Sequence, residues 1–202
     1  MAGATRVWTI PNAISVARLG CVPVFLWLLW GADAGLAAAA LLAVLGATDW
    51  VDGWIARRYD QGSELGKVLD PTADRVLLVA AAVALLTQDM PGPVDVVLWI
   101  VLVRETVIAA VTVGLGIAGA RRIDVVWAGK AGTLAVMFAL PMFLAAESVP
   151  SGAASVGFAV AGWGFAIGGV VLGYYAAARY VPAARLALAE GRAARRRVEV
   201  TT

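Results

Sequence analysis

Apolar residues along this chain come in long blocks, and the polar residues gather in the gaps between them. The blocks run from Pro11 to about Trp30, Ala34 to Arg58, Lys67 to Thr87, Val94 to Ala118, Val125 to Ala146 and Ala153 to Ala178. Each is near the ~20 residues that an α-helix needs to cross a bilayer at ~1.5 Å per residue. No stretch alternates over the length of a strand, and alanine and leucine dominate, so the pattern predicts an all-α bundle of six transmembrane helices. The gaps are short, which favours antiparallel neighbours, with Gln88 to Pro93 forming one tight turn. Abundant glycine and alanine predict close helix approach, because association in lipid depends on backbone-to-backbone packing. A basic start and the small residues at Ala32 to Ala34 mimic a cleaved leader. The first block is long enough to span and further blocks follow, so it is read as a retained helix.

Composition agrees with the blocks. With 202 residues, 61% of them hydrophobic, and a mean hydropathy of +0.84, the chain is expected to be an integral membrane protein of one domain, residues 1–202. Within it, 1–10 is a juxtamembrane segment and 181–202 a basic cytoplasmic tail. The single cysteine, Cys21, excludes an intrachain disulfide and suits packing in an apolar run. A formal charge of +2 gives no reason to expect a nucleic-acid partner.

The distribution of cations says more than their sum. Arg57, Arg58 and Lys67 flank the second gap, Arg121, Arg122 and Lys130 the fourth, and the tail carries Arg179, Arg185, Arg192 and Arg195 to Arg197. The gaps near Asp33, Asp89 and Glu147 hold no lysine or arginine. The positive-inside rule therefore predicts that both termini and the second gap face the cytoplasm of a bacterial-type plasma membrane. From Val181 to Val200 the tail mixes arginines with apolar residues, which fits either an interfacial helix on anionic lipid or a solvated end.

One stretch breaks the apolar pattern. From Asp49 to Asp74 the sequence reads DWVDGWIARRYDQGSELGKVLDPTAD, which sets Asp49, Asp52, Asp70 and Asp74 among largely apolar neighbours. Asp49 and Asp52, three apart, share one helix face, and Asp70 and Asp74, four apart, share another. Carboxylates brought together away from water repel and lose solvation, which a cation between them would relieve. All-oxygen ligands in a chain without histidine suit a hard divalent ion, Mg²⁺ or Mn²⁺, rather than zinc. Asp60 and Glu64, in the gap, read as solvated residues. Asp70, just before Pro71, also fits a helix N-cap. Counting helical rise inward from Arg58 and Lys67 sets the four carboxylates in one layer beneath the cytoplasmic face.

The spacing D-G-x-x-A-R, eight residues, G-x-x-x-D-x-x-x-D runs unbroken through Asp52, Gly53, Ala56, Arg57, Gly66, Asp70 and Asp74, with Asp49 leading it. In this the chain resembles the CDP-alcohol phosphatidyltransferases. The resemblance implies an enzyme that displaces CMP from a CDP-linked lipid by attack of an alcohol, using two divalent metal ions. It implies Asp49, Asp52, Asp70 and Asp74 as metal ligands, Asp74 also as the general base, and Asp52, Gly53, Ala56, Arg57 and Gly66 as the CDP-alcohol site. A homodimer is implied as well. Basic residues near the quartet, Arg18, Arg121 and Lys130, with Thr133 one turn beyond Lys130, are candidates for binding the acceptor.

Three further features narrow the acceptor. The opening I-P-N-A-I-S-V-A-R, the pair Arg104–Glu105 and G-K-A-G-T at Gly129 to Thr133 look most like the phosphatidylglycerolphosphate synthase and cardiolipin synthase branch. CDP-diacylglycerol with glycerol 3-phosphate is the favoured substrate pair, and phosphatidylglycerol, giving cardiolipin, is the alternative. G-K-A-G-T departs from the G-K-x-K-T form of many glycerophosphate enzymes. Arg104 and Glu105 fall near mid-membrane and are expected to face the bundle interior without pairing with each other, since adjacent residues point in different directions. A cation transporter is the competing reading of the carboxylates, although such sites more often lie near the midplane on broken helices.

Overall fold

The computed structural model of the protein describes the backbone of residues 9–59, 66–117 and 127–201, and their side chains except at 10–11, 49–59, 67–68, 115–117 and 180–201. The described residues form α1 (Ile10–Trp30), α2 (Gly35–Tyr59), α3 (Gly66–Leu86), α4 (Gly92–Ile117), α5 (Trp127–Ser148) and α6 (Ala153–Thr201). This is the all-α order that the block pattern predicts. Helix ends fall near the predicted gaps, except that α6 continues through the basic tail.

Among the described residues four helices are apolar and long enough to cross a membrane, over residues 12–30, 92–114, 127–148 and 153–179. In α2 the described part, Gly35–Thr48, is a shorter apolar run. In α3 Lys67, Asp70, Asp74 and Arg75 interrupt the first turns. Together the apolar helices make this an integral membrane protein.

Local chemistry sets the helix ends. Thr9 caps α1, its Oγ1 accepting from the Asn12 N–H at 3.4 Å, and Pro11 lies in the first turn, where its missing N–H costs nothing. After α1, Asp33 adopts φ 49°, a left-handed conformation that reverses the chain into α2. Asp70 is not the N-cap predicted from Asp-Pro: α3 begins a full turn earlier, at Gly66, and encloses both Asp70 and Pro71. Pro71, the sixth residue of the helix, lies past the four free amides of the helix start and so forgoes one backbone hydrogen bond.

Three side-chain bonds fix how α1 and α3 lie together. Ser15 meets Asp70, Arg18 meets Asp74, and Trp30 Nε1 donates to Thr87 Oγ1 at 2.9 Å, with sequence separations of 55, 56 and 57. A nearly constant offset from one end to the other means that the two helices are parallel and in register, as expected when α2 runs back between them. Phe25, Leu42, Leu77, Leu85, Leu98 and Leu140, each at most 1% exposed, form the core where these helices meet α4 and α5.

The most extensive helix contact among the described residues is between α5 and α6. At its centre backbone meets backbone, with Val136 alongside. A Cβ built on Gly132 would lie 2.9 Å from both Gly169 O and Gly173 N, and one on Gly169 would lie 2.8 Å from Gly132 O. Gly169→Leu is therefore expected to lower stability by about 1–3 kcal/mol or more, the usual cost of overpacking, because rigid backbone lies in the way. Thermal unfolding in detergent checks this, and an unchanged midpoint would disprove the close crossing.

Candidate functional site

α1 supplies an unusual polar face. Asn12, Ser15 and Arg18, spaced three apart, are 4%, 0% and 1% exposed, and all turn inward. Ser15 Oγ donates to Asp70 Oδ1, and Arg18 Nη1 forms an ion pair with Asp74 Oδ1. The Arg18 side chain is fully buried and that of Asp74 is 20% exposed. A guanidinium stripped of water is tolerated only beside a counter-charge, so Asp74 makes Arg18 possible in the bundle. Reciprocally, α1 sets the orientation of both carboxylates on α3.

A second polar cluster lies on the other flank of α3. Arg104 Nη1 donates to Glu105 Oε1 at 2.7 Å and to Thr133 Oγ1 at 3.4 Å, and Thr133 in turn donates to the Gly129 carbonyl at 3.1 Å. Glu105 Oε2 faces Arg75 Nε at 3.9 Å. Arg104 and Glu105 do face the interior, with side chains 8% and 5% exposed. They also pair with each other, contrary to the expectation for adjacent residues. The arginine stem is long and flexible enough to fold back along the helix, and two charges buried near mid-membrane cost less as a pair than apart.

The structure brings Arg18, Asp70 and Asp74 together at one level of the bundle. Gly66 is buried at the first position of α3. Lys130 is exposed in the first turn of α5, and Thr133, one turn on, is half-buried. Asp49, Asp52, Gly53, Ala56 and Arg57 lie in the last turns of α2, with side chains outside the described residues, and Arg121 lies outside them altogether. Among the described residues no three acidic, cysteine or histidine side chains converge. Asp70 and Asp74 are the half of the quartet that is described. A cavity of about 530 Å³ at the opposite end, lined by residues including Asp33, Gly35 and Ser148, contains none of the motif.

Sequence reasoning did not single out Ser15 or Arg75. The signal for Ser15 was present: Asn12, Ser15 and Arg18 are polar residues at helical spacing in an apolar block. Arg75 carries no such signal, because beside Asp74 it reads as one more charge near a helix end.

Comparison with known proteins bears directly on this geometry. Residues 8–175 match the CDP-alcohol phosphatidyltransferase family. A cardiolipin synthase (CMP-forming) of Streptomyces coelicolor is 39% identical over 170 residues, covering 79% of this chain and 77% of that protein. CDP-diacylglycerol–glycerol-3-phosphate 3-phosphatidyltransferases are 35% identical over 150 residues in Pseudomonas fluorescens and 34% over 146 in Escherichia coli. These cover 67% and 68% of this chain, and 72% and 77% of the respective relatives. The match runs from α1 through most of the span of α6, so it takes in the helix that holds Asp70 and Asp74 as well as the motif itself. With an unbroken aspartate motif seated in a membrane-embedded helical bundle, this chain belongs to the CDP-alcohol phosphatidyltransferases and is a transferase of that class.

Proposed function

We propose that this enzyme, as a single domain spanning 1–202, transfers the phosphatidyl group of CDP-diacylglycerol to the hydroxyl of phosphatidylglycerol, releasing CMP and forming cardiolipin. The observation that carries the choice of acceptor is position 132. Glycerophosphate enzymes of the G-K-x-K-T form place a second lysine there, whereas this chain has Gly132 pressed against the backbone of α6, with no room for any side chain. A terminal phosphate monoester carries up to two negative charges, and a phosphodiester only one. Losing a cation at this position disfavours the monoester more. The Streptomyces cardiolipin synthase is also more similar, over more of the chain, than the two glycerophosphate enzymes.

In the proposed reaction the acceptor hydroxyl oxygen attacks the phosphorus that bears the diacylglycerol. The bond from that phosphorus to the bridging oxygen breaks, and CMP leaves with the electron pair. Asp74 takes the hydroxyl proton, a role open to a carboxylate in a chain without histidine. Arg18 holds Asp74 in place. Arg57 faces the phosphates of the nucleotide, and the small residues Gly53, Ala56 and Gly66 let it approach the helix backbones beside Asp52. Lys130 and Thr133, with Arg121, receive the acceptor phosphate.

Asp49, Asp52, Asp70 and Asp74 fit two divalent ions, Mg²⁺ or Mn²⁺, in donor type, and the hydrogen bonds from α1 to Asp70 and Asp74 are the outer support such ligands need. When bound, the ions supply neutralisation of the charge that builds on the diphosphate. The active site and both termini face the cytoplasm, and the enzyme is a homodimer. These two points rest on the cation distribution and on the resemblance, respectively.

The test is to incubate purified enzyme and CDP-diacylglycerol with phosphatidylglycerol or glycerol 3-phosphate separately and identify the lipid by mass. Cardiolipin with the first acceptor is expected. Phosphatidylglycerolphosphate alone would establish glycerol 3-phosphate, the acceptor favoured by the sequence motifs and the second reading here. Family membership displaces the transporter reading, and CMP release without cation flux in liposomes is the expected companion result.

A further inference from the structure

Arg104 and Glu105 of α4 have no part in the chemistry described so far, yet they lie against the same turn of α3. Asp74 and Arg75 are consecutive, so their side chains leave α3 about 100° apart. Asp74 is held from α1 by Arg18, and Arg75 is met from α4 by Glu105 at 3.9 Å. The other oxygen of Glu105 holds Arg104 at 2.7 Å, which reaches Thr133 on α5. Gly173 of α6 closes over that guanidinium, since a Cβ there would lie 2.7 Å from Arg104 Nε. Thus α1, α3, α4 and α5 meet through polar contacts at one level of an otherwise apolar bundle, with α6 packed closely over Arg104.

Apolar packing in lipid fixes the height and rotation of a helix only loosely, whereas a buried carboxylate shared by two guanidiniums is satisfied at one setting. Glu105 is 5% exposed, so its charge is met chiefly by Arg104 at hydrogen-bond distance and by Arg75 at 3.9 Å. We propose that Glu105 is a positioning residue for phosphatidyl transfer: through Arg75 and Arg104 it fixes the Asp70–Asp74 turn of α3 against α4, α5 and α6, without touching either substrate. The inference rests on the proposed roles of Asp70 and Asp74.

The experiment uses the full chain in lipid nanodiscs, with CDP-diacylglycerol and whichever glycerol acceptor the wild type accepts. The variants are Glu105→Gln, Glu105→Asp, Arg75→Gln and the double Glu105→Gln/Arg75→Gln, each with its thermal midpoint measured. Misplacement of reacting groups by about an ångström costs on the order of a hundredfold, so a fall in kcat of roughly 10- to 100-fold per folded enzyme is expected for Glu105→Gln, with KM for CDP-diacylglycerol nearly unchanged. Arg75→Gln should show the same split. Glu105→Asp should regain most of the loss, and the double variant should be no worse than the poorer single one.

Wild-type kcat in folded Glu105→Gln, a loss matching only the unfolded fraction, or multiplicative effects in the double variant would overturn the proposal. If Glu105→Gln is too unstable to purify, Arg75→Gln decides the matter. That side chain is 40% exposed, and normal kcat there would overturn the clamp. A wild-type enzyme that forms no lipid from either acceptor would instead defeat the functional reading, a result separable from any behaviour of the variants.

Discussion

Asp74→Asn is expected to reduce turnover by about a thousandfold, within the 10²–10⁴ range typical of a lost general base. The amide matches the carboxylate in shape and offers Arg18 an acceptor, but it cannot take a proton and is a poor ligand for a hard cation. Because Arg18 is fully buried, the variant also weakens the ion pair that Asp74 makes with it, so some loss of stability is expected. Activity must therefore be expressed per folded molecule, with the thermal midpoint measured alongside CMP release. Folded Asp74→Asn enzyme that turns over near the wild-type rate would show that another group accepts the proton.

Removing divalent ions is expected to have a comparable effect. Excess chelator should take CMP release to background, and added Mg²⁺ or Mn²⁺ should restore it, because the diphosphate carries charge that neither Arg18, already engaged by Asp74, nor a carboxylate can neutralise. Manganese gives a second readout independent of turnover: its paramagnetic signal, titrated with enzyme, should report two bound ions per chain. The same titration on an Asp70→Asn/Asp74→Asn double variant should report fewer. Full activity in excess chelator would rule out the metal mechanism.

How much of this was legible in the sequence depended on whether a feature is local. The helices follow from block length, and Asp70 and Asp74 share a face because they are one turn apart, so both were readable without coordinates. The N-cap expected at Asp70 failed for a local reason as well: Asp-Pro marks a helix start in isolation, but the helix is already under way at Gly66. Partners distant in sequence were not readable. Nothing in the pattern links Ser15 to Asp70 or Arg75 to Glu105, because those meetings depend on the relative height of two helices. The pairing of Arg104 with Glu105 was misjudged because Cβ direction is a weak guide for a side chain as long as arginine. Gly132 was noted as a departure from a motif, and only the α6 backbone beside it explains why a lysine is absent.

The close contact between α5 and α6 also limits how the enzyme can breathe. Where two main chains touch at Gly132, Gly169 and Gly173 and aromatic rings interlock beyond them, α5 and α6 are expected to move as one unit. A two-tailed donor entering sideways from the bilayer, and a bulky lipid product leaving the same way, would then part the wall at a seam other than that between α5 and α6. The gate for lipid traffic is to be sought at one of those other seams.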